Sequence, residues 1–587
     1  MLVCTKNTRT KIAGMMAMGL LSLPALAGTP AALDHVPSDA QAVVVVPNFG
    51  ELLSDINMVN QLMGDDGEPM IMMLSAMIRG MPGINLDGSF AAVLAFDEND
   101  MEAEPEVAIL LPVSDFGAFA EGHSEADGVF GMDIGGSVIH FRDAGDGFAV
   151  LGQNASIVGS FDAAGGNSAA HGVMLGKVGG RVTGDNDISV FINFGPLETL
   201  VGEAMEEMEA QGEMVEMMGG AEAAAGFDMM LNIVQTVVGD GSALVGGMNF
   251  DLETGISYDF GVQFKDGSTS ASYLQNAGNS GKYFDNMPAM DYFFASAFDF
   301  SGAGIEKLVG EYLDMVSKLD TTGMIDQMGL KDMMSGINGG IQVMGASDNI
   351  MGGLFSNTMY YLDVDDADGL IETTQNMYAG LAENMGELAE LGVEITAAMD
   401  SKPTAINGVE AYGYSFGMDM SGLSDMAGAM GGPNPAMIMG MVFGPDGGPS
   451  GYMAKAGDGI ISTFSKDAEF FSMVADAANG KNTMKGNASI AQTAAMMPEG
   501  RISETYMAAD HLINTAGPML MMFGVIPEFE PVGALAPLGI GVTADGGGLG
   551  VRVALPMATI GAVMEMIPAD AFGGDEYEDE DSDDMDF

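Results

Sequence analysis

The chain has 587 residues, a formal net charge of −64, 55 methionines, no tryptophan and a single cysteine. So negative a chain is not expected to bind nucleic acid or anionic lipid surfaces, because proteins bind both through Lys and Arg side chains. One cysteine cannot build a disulfide framework, an iron–sulfur cluster or a thiolate zinc site, and the length exceeds what one hydrophobic core serves, so more than one domain is expected.

Residues 1–27 have the pattern of an export signal. Three basic residues precede an apolar run over residues 12–23, and Ala25-Leu26-Ala27 provides small residues at the cleavage position. An uncleaved anchor is the weaker interpretation, because this run is too short to cross a bilayer of roughly 30 Å. We therefore expect an exported bacterial protein, periplasmic or extracellular, with no membrane span after cleavage and with residues 28–35 as a linker.

A strand that passes directly into a helix recurs along the chain. In "VPSDAQAVVVVPNFGELLSDI", Pro37 stands eleven residues before Asn48, and in "MPAMDYFFASAFDFSGAGIEKLVGEYL", Pro288 stands eleven residues before Asp299. In each case apolar residues at strand spacing give way to a helix-capping side chain and then to apolar residues at helical spacing. Less complete copies have their junctions at Asn193 and Asp510, and related junctions lie at Ser114 or Asp115, near Asp365 and near Ser465.

Hairpin patterns lie between these units. "FAAVLAFDENDMEAEPEVAILLPV", "HFRDAGDGFAVLG" and "GIGVTADGGGLGVRVALP" each give two apolar runs around a turn. A hairpin followed by a short helix closes each half of the chain. The predicted fold is therefore α+β, with two tandem related lobes, residues 36–280 and 281–568, of mainly antiparallel sheets with helices packed on them. A doubly wound parallel sheet is the alternative, because alternation of strands and helices also suits that fold.

Two segments stand apart in composition. Residues 421–451 are dense in Gly, Pro and Met, and we expect a long loop or insertion there. The final residues, 569–587, are predominantly acidic and are expected to form a disordered tail.

The stretch "EAMEEMEAQGEMVEMMGG", residues 203–220, is rich in Met and Glu. It continues the helix that begins at Asn193, and its apolar residues follow helical steps of three and four, so Met there is expected to pack as Leu would. The predicted stripe comprises Leu197, Leu200, Val201, Ala204, Met205, Met208, Val215 and Met218. Thioethers also bind Cu(I). Candidate copper ligands are Met205 with Met208, Met214 with Met217 and Met218, and Met70, Met72 and Met73 with Met77.

"GYSFG", residues 413–417, matches the nucleophile elbow G-x-S-x-G, with Ser415 at its centre. An elbow requires a helix directly after the serine, but the following sequence is broken by glycine, and the only histidine downstream is His511. A serine-type or acid/base hydrolase therefore remains an alternative to a non-catalytic protein, and no catalytic residue is assigned.

Acidic and histidine residues offer further metal hypotheses. "DVDDADGLIE" resembles a calcium loop, but aligning its glycine, Gly369, puts Val364 at the first ligand position, which an EF-hand does not allow. A looser calcium site could use Asp363, Asp365, Asp366 or Asp368. The five histidines, His35, His123, His140, His171 and His511, show no pair at the spacing of a zinc-binding helix. No metal ligand or cofactor is assigned.

In organisation the chain resembles a loose group of large exported bacterial proteins of unknown function with repeated strand–helix modules. The resemblance is carried by "VPSDAQAVVVVPNFGELL", by "MPAMDYFFASAFDF" and by the hairpins. It implies an envelope location and a repeated α+β structure, and it implies no catalytic residue.

The expected function is a non-catalytic binding or structural role in the bacterial envelope. The expected partner is an unidentified protein or a small apolar ligand, because methionine surfaces adapt to varied apolar shapes. A calcium- or copper-binding protein is the remaining alternative, and weak binding of divalent cations is compatible with the acidity.

Overall fold

The structure of the chain is a computed structural model that describes residues 29–54, 76, 78–96, 105–134, 136–319, 333–334, 336–346, 353–384, 394–419, 448–522 and 528–566. Within these ranges, 21 strands form a single sheet, and all of its pairings are antiparallel. Helices pack on this sheet. The prediction of an α+β protein with antiparallel pairing is confirmed, and the alternative of a doubly wound parallel sheet is wrong, because each crossover returns the chain in the opposite direction.

The first ten strands lie side by side. They are β1 (Ala42–Val46), β2 (Phe90–Ala95), β3 (Glu106–Pro112), β4 (Ser124–Ala126), β5 (Val129–Ile134), β6 (Ser137–Gly145), β7 (Phe148–Gly152), β8 (Ile188–Asn193), β9 (Gly241–Asp251) and β10 (Gly255–Phe264). Their order across the sheet is β4-β5-β6-β7-β3-β2-β1-β8-β9-β10.

The other eleven strands repeat this order. They are β11 (Tyr292–Asp299), β12 (Ile337–Gly345), β13 (Thr358–Val364), β14 (Glu394–Met399), β15 (Thr404–Ile406), β16 (Val409–Asp419), β17 (Ser450–Ala456), β18 (Gly459–Thr463), β19 (Arg501–Met507), β20 (Leu538–Asp545) and β21 (Gly548–Pro556). Their order is β15-β16-β17-β18-β13-β12-β11-β19-β20-β21, with β14 also paired to β16. Strands β10 and β21 pair with each other and join the two runs into one sheet.

The helices also occur in the same succession in both runs. The α-helices are α1 (Phe116–Ala120), α2 (Ala155–Ser160), α3 (Ser168–Asp185), α4 (Phe194–Asp240), α5 (Thr269–Tyr273), α6 (Ala303–Leu319), α7 (Ala367–Asn384), α8 (Ala468–Ala478), α9 (Ala488–Ala495), α10 (Ala509–Met522) and α11 (Met557–Met566). A 3-10 helix precedes the first strand of each run, at Ala31–Asp34 and at Ser280–Asn286. Residues 49–54 are helical after β1, in the place that α6 takes after β11.

Side-chain caps begin several of these helices where the sequence predicts them. Asn48 Oδ1 accepts a hydrogen bond from Glu51 N at 3.2 Å, Asp115 caps α1, and Asn193 caps α4 through Gly195 N at 3.1 Å. Each cap satisfies a backbone N–H that the first helical turn leaves free. The Met-rich stretch 203–220 lies inside α4, as predicted. Leu197 and Met205 of its predicted stripe are buried.

Several junctions differ by one to four residues from the prediction. Helix α6 begins at Ala303, four residues after Asp299, and α7 begins at Ala367, with Asp366 at its cap. Helix α8 begins at Ala468 and is capped by Asp467, which accepts from Glu469 N at 2.7 Å, while Ser465 accepts from Asp467 N and forms the turn before the cap. Helix α10 begins at Ala509, one residue before the predicted Asp510. Serine and aspartate both favour turns and caps, so the sequence alone does not decide which of two neighbouring polar residues takes the cap.

The three predicted hairpins are confirmed as the antiparallel pairs β2–β3, β6–β7 and β20–β21. The hairpin β9–β10 is followed by the short helix α5, and β20–β21 is followed by α11. Within the expected linker 28–35, residues Ala32 and Leu33 are buried against the first run of strands. The predicted signal 1–27, residues 421–447 of the predicted insertion and the predicted tail 569–587 lie outside the described residues. The last two residues of the predicted insertion, Ser450 and Gly451, begin strand β17.

One face of the sheet is covered by helices. In the first run, Leu175, Val178 and Val182 of α3 pack on inward-facing strand residues such as Val43 and Phe191. In the second run, helices α8 and α9 and the 3-10 helix 280–286 cover the equivalent face. Burial of this apolar area supplies most of the driving force for folding.

Two glycines permit close approaches on which this packing depends. Gly176 interrupts α3 with φ of 53°, and a Cβ there would lie 2.3 Å from the side chain of Gln263. Gly255 opens β10 with φ of 141°, and a Cβ there would lie 2.1 Å from the carbonyl oxygen of Leu555 on β21. Only glycine accommodates both the backbone conformation and the contact.

Buried phenols make the stability of the fold sensitive to alkali. Burial is the main cause that raises the pKa of Tyr283, Tyr292, Tyr360, Tyr361, Tyr378, Tyr414 and Tyr506 above the ordinary value of 10, in the case of Tyr378 to about 12. The folded state therefore keeps phenolic protons that the unfolded chain releases above pH 10, so this stability is complete below pH 10 and is lost as the pH rises further.

We expect alkaline unfolding to be cooperative and to coincide with ionisation of these tyrosines. The chain contains 13 Tyr and no Trp, so the near-ultraviolet absorbance of phenolate reports the titration directly. Circular dichroism followed in parallel should lose its signal in the same pH range as the late-titrating phenols ionise. Ionisation of all 13 tyrosines near pH 10, with the circular dichroism unchanged, would contradict the expectation.

Candidate functional site

The second face of the sheet is apolar and only partly covered at the centre. Side chains alternate along each strand, so the residues that point away from α3, α8 and α9 share one surface. We call the central part of this surface the open face. It comprises Ile188, Val190, Ile192, Leu244, Met248, Tyr258, Phe260, Val262, Val551, Val553, Ile540, Val542, Thr505, Met507, Phe294 and Ser296, on strands β8, β9, β10, β21, β20, β19 and β11.

Strand register places these side chains side by side. Val190 faces Gly246 on β9, Gly246 faces Phe260 on β10, and Phe260 faces Val551 on β21. This row of neighbouring residues continues across the pairing of β10 with β21, where the two runs of strands join. The open face is therefore one surface shared by both halves of the chain.

Several open-face side chains are solvent-exposed to an extent unusual for large apolar groups. The exposed fraction is 57% for Phe260, 44% for Ile540, 42% for Val190, 40% for Leu244 and 36% for Phe294. Full burial of one such side chain is worth about 1.5–3 kcal/mol, so covering these five residues together would release several kcal/mol. Contiguous exposed apolar surface of this kind is characteristic of a ligand or interaction site.

Helices cover the same side of the sheet on both flanks of the open face. In the first run, Leu111 and Phe141 pack under Phe49 and Phe119. In the second run, Leu362 and Ile460 pack under Leu370 and Ile371 of α7. The sheet is therefore covered toward both ends, and the central strands are where apolar side chains remain accessible.

One border of the open face is closed by the helices that follow β10 and β11. Ala271 and Leu274 at α5 and Ile305 of α6 form a cluster with Val542 and Leu549. The long helix α4 contacts α5, α6 and β9, and α11 contacts β10 and β21. Large exposed apolar residues continue on these helices, namely Met217, Met230 and Ile233 on α4, Leu308 and Tyr312 on α6, and Val563 and Met564 on α11.

The open face carries no ionisable acid or base apart from the phenol of Tyr258, although the chain contains 83 Asp and Glu. Asp259 and Glu504, on the central strands β10 and β19, point to the covered face, where their exposed fractions are 0% and 1%. The sequence therefore separates charge from the open face within a strongly acidic chain. Such a surface can bind an apolar group. The polar groups among its side chains are the hydroxyls of Tyr258, Ser296 and Thr505.

A buried polar cluster lies beneath the open face, where the two runs of strands join. Arg552 on β21 donates from Nε to both carboxylate oxygens of Asp259 on β10, at 3.0 and 2.9 Å. Asn186 Nδ2 donates to the same carboxylate at 2.8 Å, and Asp185 lies 3.8 Å from the Arg552 guanidinium. Burial lowers the pKa of the nearby Arg181 and raises the pKa of Asp185. The ion pair of Asp259 with Arg552 therefore links the two runs of strands at their junction.

The predicted serine site does not have the geometry of a nucleophile elbow. Ser415 lies in the middle of β16, paired with Ala398 on β14 and with Ser450 on β17. The chain continues as a strand to Asp419, whereas an elbow requires a helix directly after the serine. Ser415 therefore lacks the context that would expose and activate its hydroxyl.

The predicted calcium carboxylates are engaged separately. Asp363 accepts a hydrogen bond from Tyr283 Oη at 3.0 Å, Asp365 accepts from Asn338 at 2.8 Å, and Asp366 accepts from Gly369 N at 2.9 Å at the start of α7. Asp368 forms an ion pair with Lys455. These contacts are those of helix caps and ion pairs. In the described part of the chain, His, Cys, Asp and Glu side chains do not gather in a group of three or more that could hold a metal ion.

The candidate copper ligands are only partly within the described structure. Met205 is buried and Met217 is 80% exposed on the same helix, α4. The side chains of Met214 and Met218 lie outside the described part, as do residues 70, 72, 73 and 77. The described methionines of α4 therefore face different environments.

Three of the five histidines make contacts typical of structural residues. His35 and His171 are buried, and each ring bonds to a backbone carbonyl, of Ala163 at 2.9 Å and of Val36 at 3.0 Å. The rings of His123 and Phe141 lie edge to face, and His140 lies on β6. His511 differs, because it lines a cavity of about 470 Å³ beside Asp291.

Neither the open face nor the pair Asp259–Arg552 was predicted from the sequence. A signal for the former exists in segments such as "ISVFIN" and "LGVRVALP", where Ile, Val and Leu recur at every second position and so mark one apolar face of each strand. Comparisons with protein families, curated proteins and solved structures gave no match. Of the described helices, none combines the length and apolar character needed to cross a membrane.

Proposed function

We propose that this chain is an exported, non-catalytic protein of the bacterial envelope that binds an uncharged apolar ligand of the acyl-chain type on the open face. The observation that carries this proposal is the contiguous set of partly exposed apolar side chains centred on Phe260. A ligand that covers Phe260, Ile540 and Val190 would remove from water the area that the helices leave accessible.

Charge argues for a small neutral ligand over a second copy of the chain. Two copies meeting through this face would bring together two bodies of net charge −64, and their repulsion opposes association. The same charge opposes docking on an anionic lipid surface. A single acyl chain is apolar, carries no charge along its length and can lie along a row of side chains that runs across the strands.

Flexible side chains beside the face support a ligand of variable shape. Helices α4 and α11, which contact strands of the open face, carry exposed Met217, Met230 and Met564. Methionine has three rotatable bonds and a polarisable sulfur, so it adapts to irregular apolar partners. The methionine content of the chain is then a property of its ligand surface as well as of its core.

We also infer that the two runs of strands are related lobes, residues 36–280 and 281–568, that arose by duplication. The matching order of strands and the matching succession of helices support this inference. The repeated spacing from Pro37 to Asn48 and from Pro288 to Asp299 supports it independently. The open face then lies across the contact between the two copies, a common position for ligand sites.

The sequence pattern of an export signal at residues 1–27 supports the proposed location in the periplasm or outside the cell, where an apolar ligand requires a carrier or a binding surface to remain in solution. N-terminal sequencing of the protein recovered from the periplasmic fraction tests this part. We expect the mature chain to begin at residue 28. Recovery of the intact N-terminus in the membrane fraction would contradict it.

Binding is tested with the uncharged dye N-phenyl-1-naphthylamine and the purified full chain. We expect saturable fluorescence enhancement that uncharged long-chain alcohols compete away, and we expect Phe260→Ser to weaken binding at least tenfold. Because Phe260 is 57% exposed, the substitution should change stability little. The matched control is Val173→Ser, since Val173 is 78% exposed on α3, the helix that packs on the opposite face.

Equal dye binding by the Phe260→Ser variant and the native chain would refute the proposal. A dimer that sediments as such and becomes monomeric in the Phe260→Ser variant would instead assign the open face to self-association. Mass spectrometry of an organic extract of the native protein identifies a retained ligand, and an acyl-chain lipid present at a fixed molar ratio is the expected result.

A further inference from the structure

A cavity of about 470 Å³ opens in the second half of the chain, between α8, α10 and the residues that lead into β11. Its volume lies within the roughly 300–1,000 Å³ that small-molecule sites occupy. The lining side chains that decide its chemistry are Met290, Asp291, Phe470, Met473 and His511. We call it the α10 pocket.

Hydrogen bonds within the protein hold the walls of the α10 pocket. Asn514 donates to the carbonyl oxygen of Val532 at 3.0 Å and accepts from its N–H at 2.8 Å. Asn357 donates to Ala346 O at 3.0 Å, and Ala346 N donates to the backbone oxygen of Asp291 at 2.9 Å. Both amide side chains are therefore used in the walls. A wall fixed in this way loses little conformational entropy when a ligand binds.

Among the described residues that line the α10 pocket, the charge is that of one carboxylate. Asp291 is the only acidic residue of this described lining, which includes neither Lys nor Arg. The Asp291 side chain is 80% exposed and lies 3.7 Å from His511 Nε2. A carboxylate at the mouth of a pocket, within a chain of net charge −64, attracts cations and repels anions.

The deeper lining is apolar and polarisable. Phe470 is 9% exposed and presents an aromatic ring, and Met290 and Met473 contribute thioethers. Aromatic faces attract organic cations, and thioethers pack against their methyl and methylene groups. The cavity is far larger than a single metal ion requires, so an organic molecule fits it better than an ion alone.

We propose that the α10 pocket binds a small organic cation with an apolar body. The cationic group lies beside Asp291 and His511, and the apolar body packs against Phe470, Met290 and Met473. This site is separate from the open face and does not depend on the function proposed for that face.

The test uses benzyltrimethylammonium as the probe, titrated into the full chain by isothermal calorimetry. We expect saturable 1:1 binding that weakens as the salt concentration rises, because a partly exposed carboxylate contributes through a screened interaction. The variant Asp291→Asn should weaken binding at least fivefold. The control Asp39→Asn removes the same charge from an exposed site in the first half of the chain and should leave binding unchanged.

A second variant tests the cavity itself. Thr515→Trp places a large ring in the lining from a half-buried position on α10 and should abolish binding, while circular dichroism confirms that the variant is folded. The open-face variant Phe260→Ser should bind the probe as the native chain does. Failure of the dye to bind would therefore refute the proposal for the open face alone, and failure of benzyltrimethylammonium to bind would refute the proposal for the α10 pocket alone.

Three outcomes overturn the proposal. The first is a lack of saturable binding by the native chain. The second is an equal loss of affinity in Asp39→Asn and Asp291→Asn, which would assign the attraction to the total charge. The third is 1:1 binding of Cu(I) that Met473→Ala removes, together with no binding of the organic probe, which would make the thioethers and His511 a soft-metal site.

Discussion

Replacing Arg552 by Ala is expected to lower the free energy of unfolding by about 3–5 kcal/mol, the range found when one partner of a buried ion pair is removed. The substitution leaves the Asp259 carboxylate, whose exposed fraction is 0%, without the guanidinium that donates to both its oxygens. A buried unpaired charge costs far more than the pair contributes. Urea denaturation followed by circular dichroism measures the effect.

The position of this pair explains why its loss should lower the stability of both halves of the sheet. Asp259 and Arg552 are each the fifth residue of their strands, β10 and β21, and they stand directly opposite each other in the register. These two strands join the two runs of the sheet. A symmetric contact between identical copies would place like charges together there, whereas aspartate in one half and arginine in the other pair favourably.

A double-mutant cycle separates the pair from its surroundings. The double variant Asp259→Leu with Arg552→Met should lose less stability than the sum of the two single variants, with a coupling energy of about 0.5–3 kcal/mol. Lys177→Ala is the matched control, because Lys177 pairs with Asp545 at 2.9 Å between the same two halves but is 67% exposed. An exposed pair contributes about 0–1 kcal/mol at most. Equal losses in Lys177→Ala and Arg552→Ala would contradict this account.

Replacing Glu504 by Leu is expected to lower the free energy of unfolding by a similar amount, about 3–5 kcal/mol. Glu504 is 1% exposed on β19 and accepts hydrogen bonds from three donors. Arg501 Nε donates at 2.9 Å, Tyr506 Oη at 2.7 Å and Ser280 Oγ at 3.0 Å. The substitution leaves all three donors without their acceptor, and Arg501 is only 16% exposed and cannot recover full hydration.

Two further substitutions each remove one of the hydrogen bonds to Glu504 and measure its contribution to stability. Tyr506→Phe removes one donor and keeps the ring, so about 1.5–3 kcal/mol should be lost, as for one hydrogen bond to a charged group. Ser280→Ala should cost a comparable amount, because the 3-10 helix 280–286 packs on β19 through this contact. Urea denaturation of the three variants gives the order of the losses. A Glu504→Leu variant as stable as the native chain would show that the donors find other acceptors.

Much of the local structure is predictable from the sequence. Asn48, Asp115 and Asn193 cap helices because a short polar side chain after a strand can accept the free N–H groups of the next helical turn. The hairpins are equally local, since glycine and acidic residues between apolar runs reverse the chain within a few residues. The errors at Ser465 and Asp510 are of one or two residues, where two neighbouring side chains can serve the same role.

The candidate sites were less accessible to prediction. Motif matching drew attention to Ser415 and to the acidic run 363–368, whose structural roles are strand pairing, capping and ion pairing. The open face has no motif, because exposure of an apolar residue depends on which helix covers it. Phe260 and Phe191 both lie on apolar strands, yet one is 57% exposed and the other fully buried.

The sequence by itself determined the alternation of strand residues, the helix starts, the hairpins and the α+β class, since each follows from residues within about one element's length of one another. The tertiary structure alone decided the order of the 21 strands, the pairing of β10 with β21 and the exposure of the open face. Asp259 and Arg552 are 293 residues apart, and their opposition arises only when two distant strands meet in one register. Local preferences act through neighbouring backbone groups, whereas burial and charge pairing depend on what the whole fold brings together.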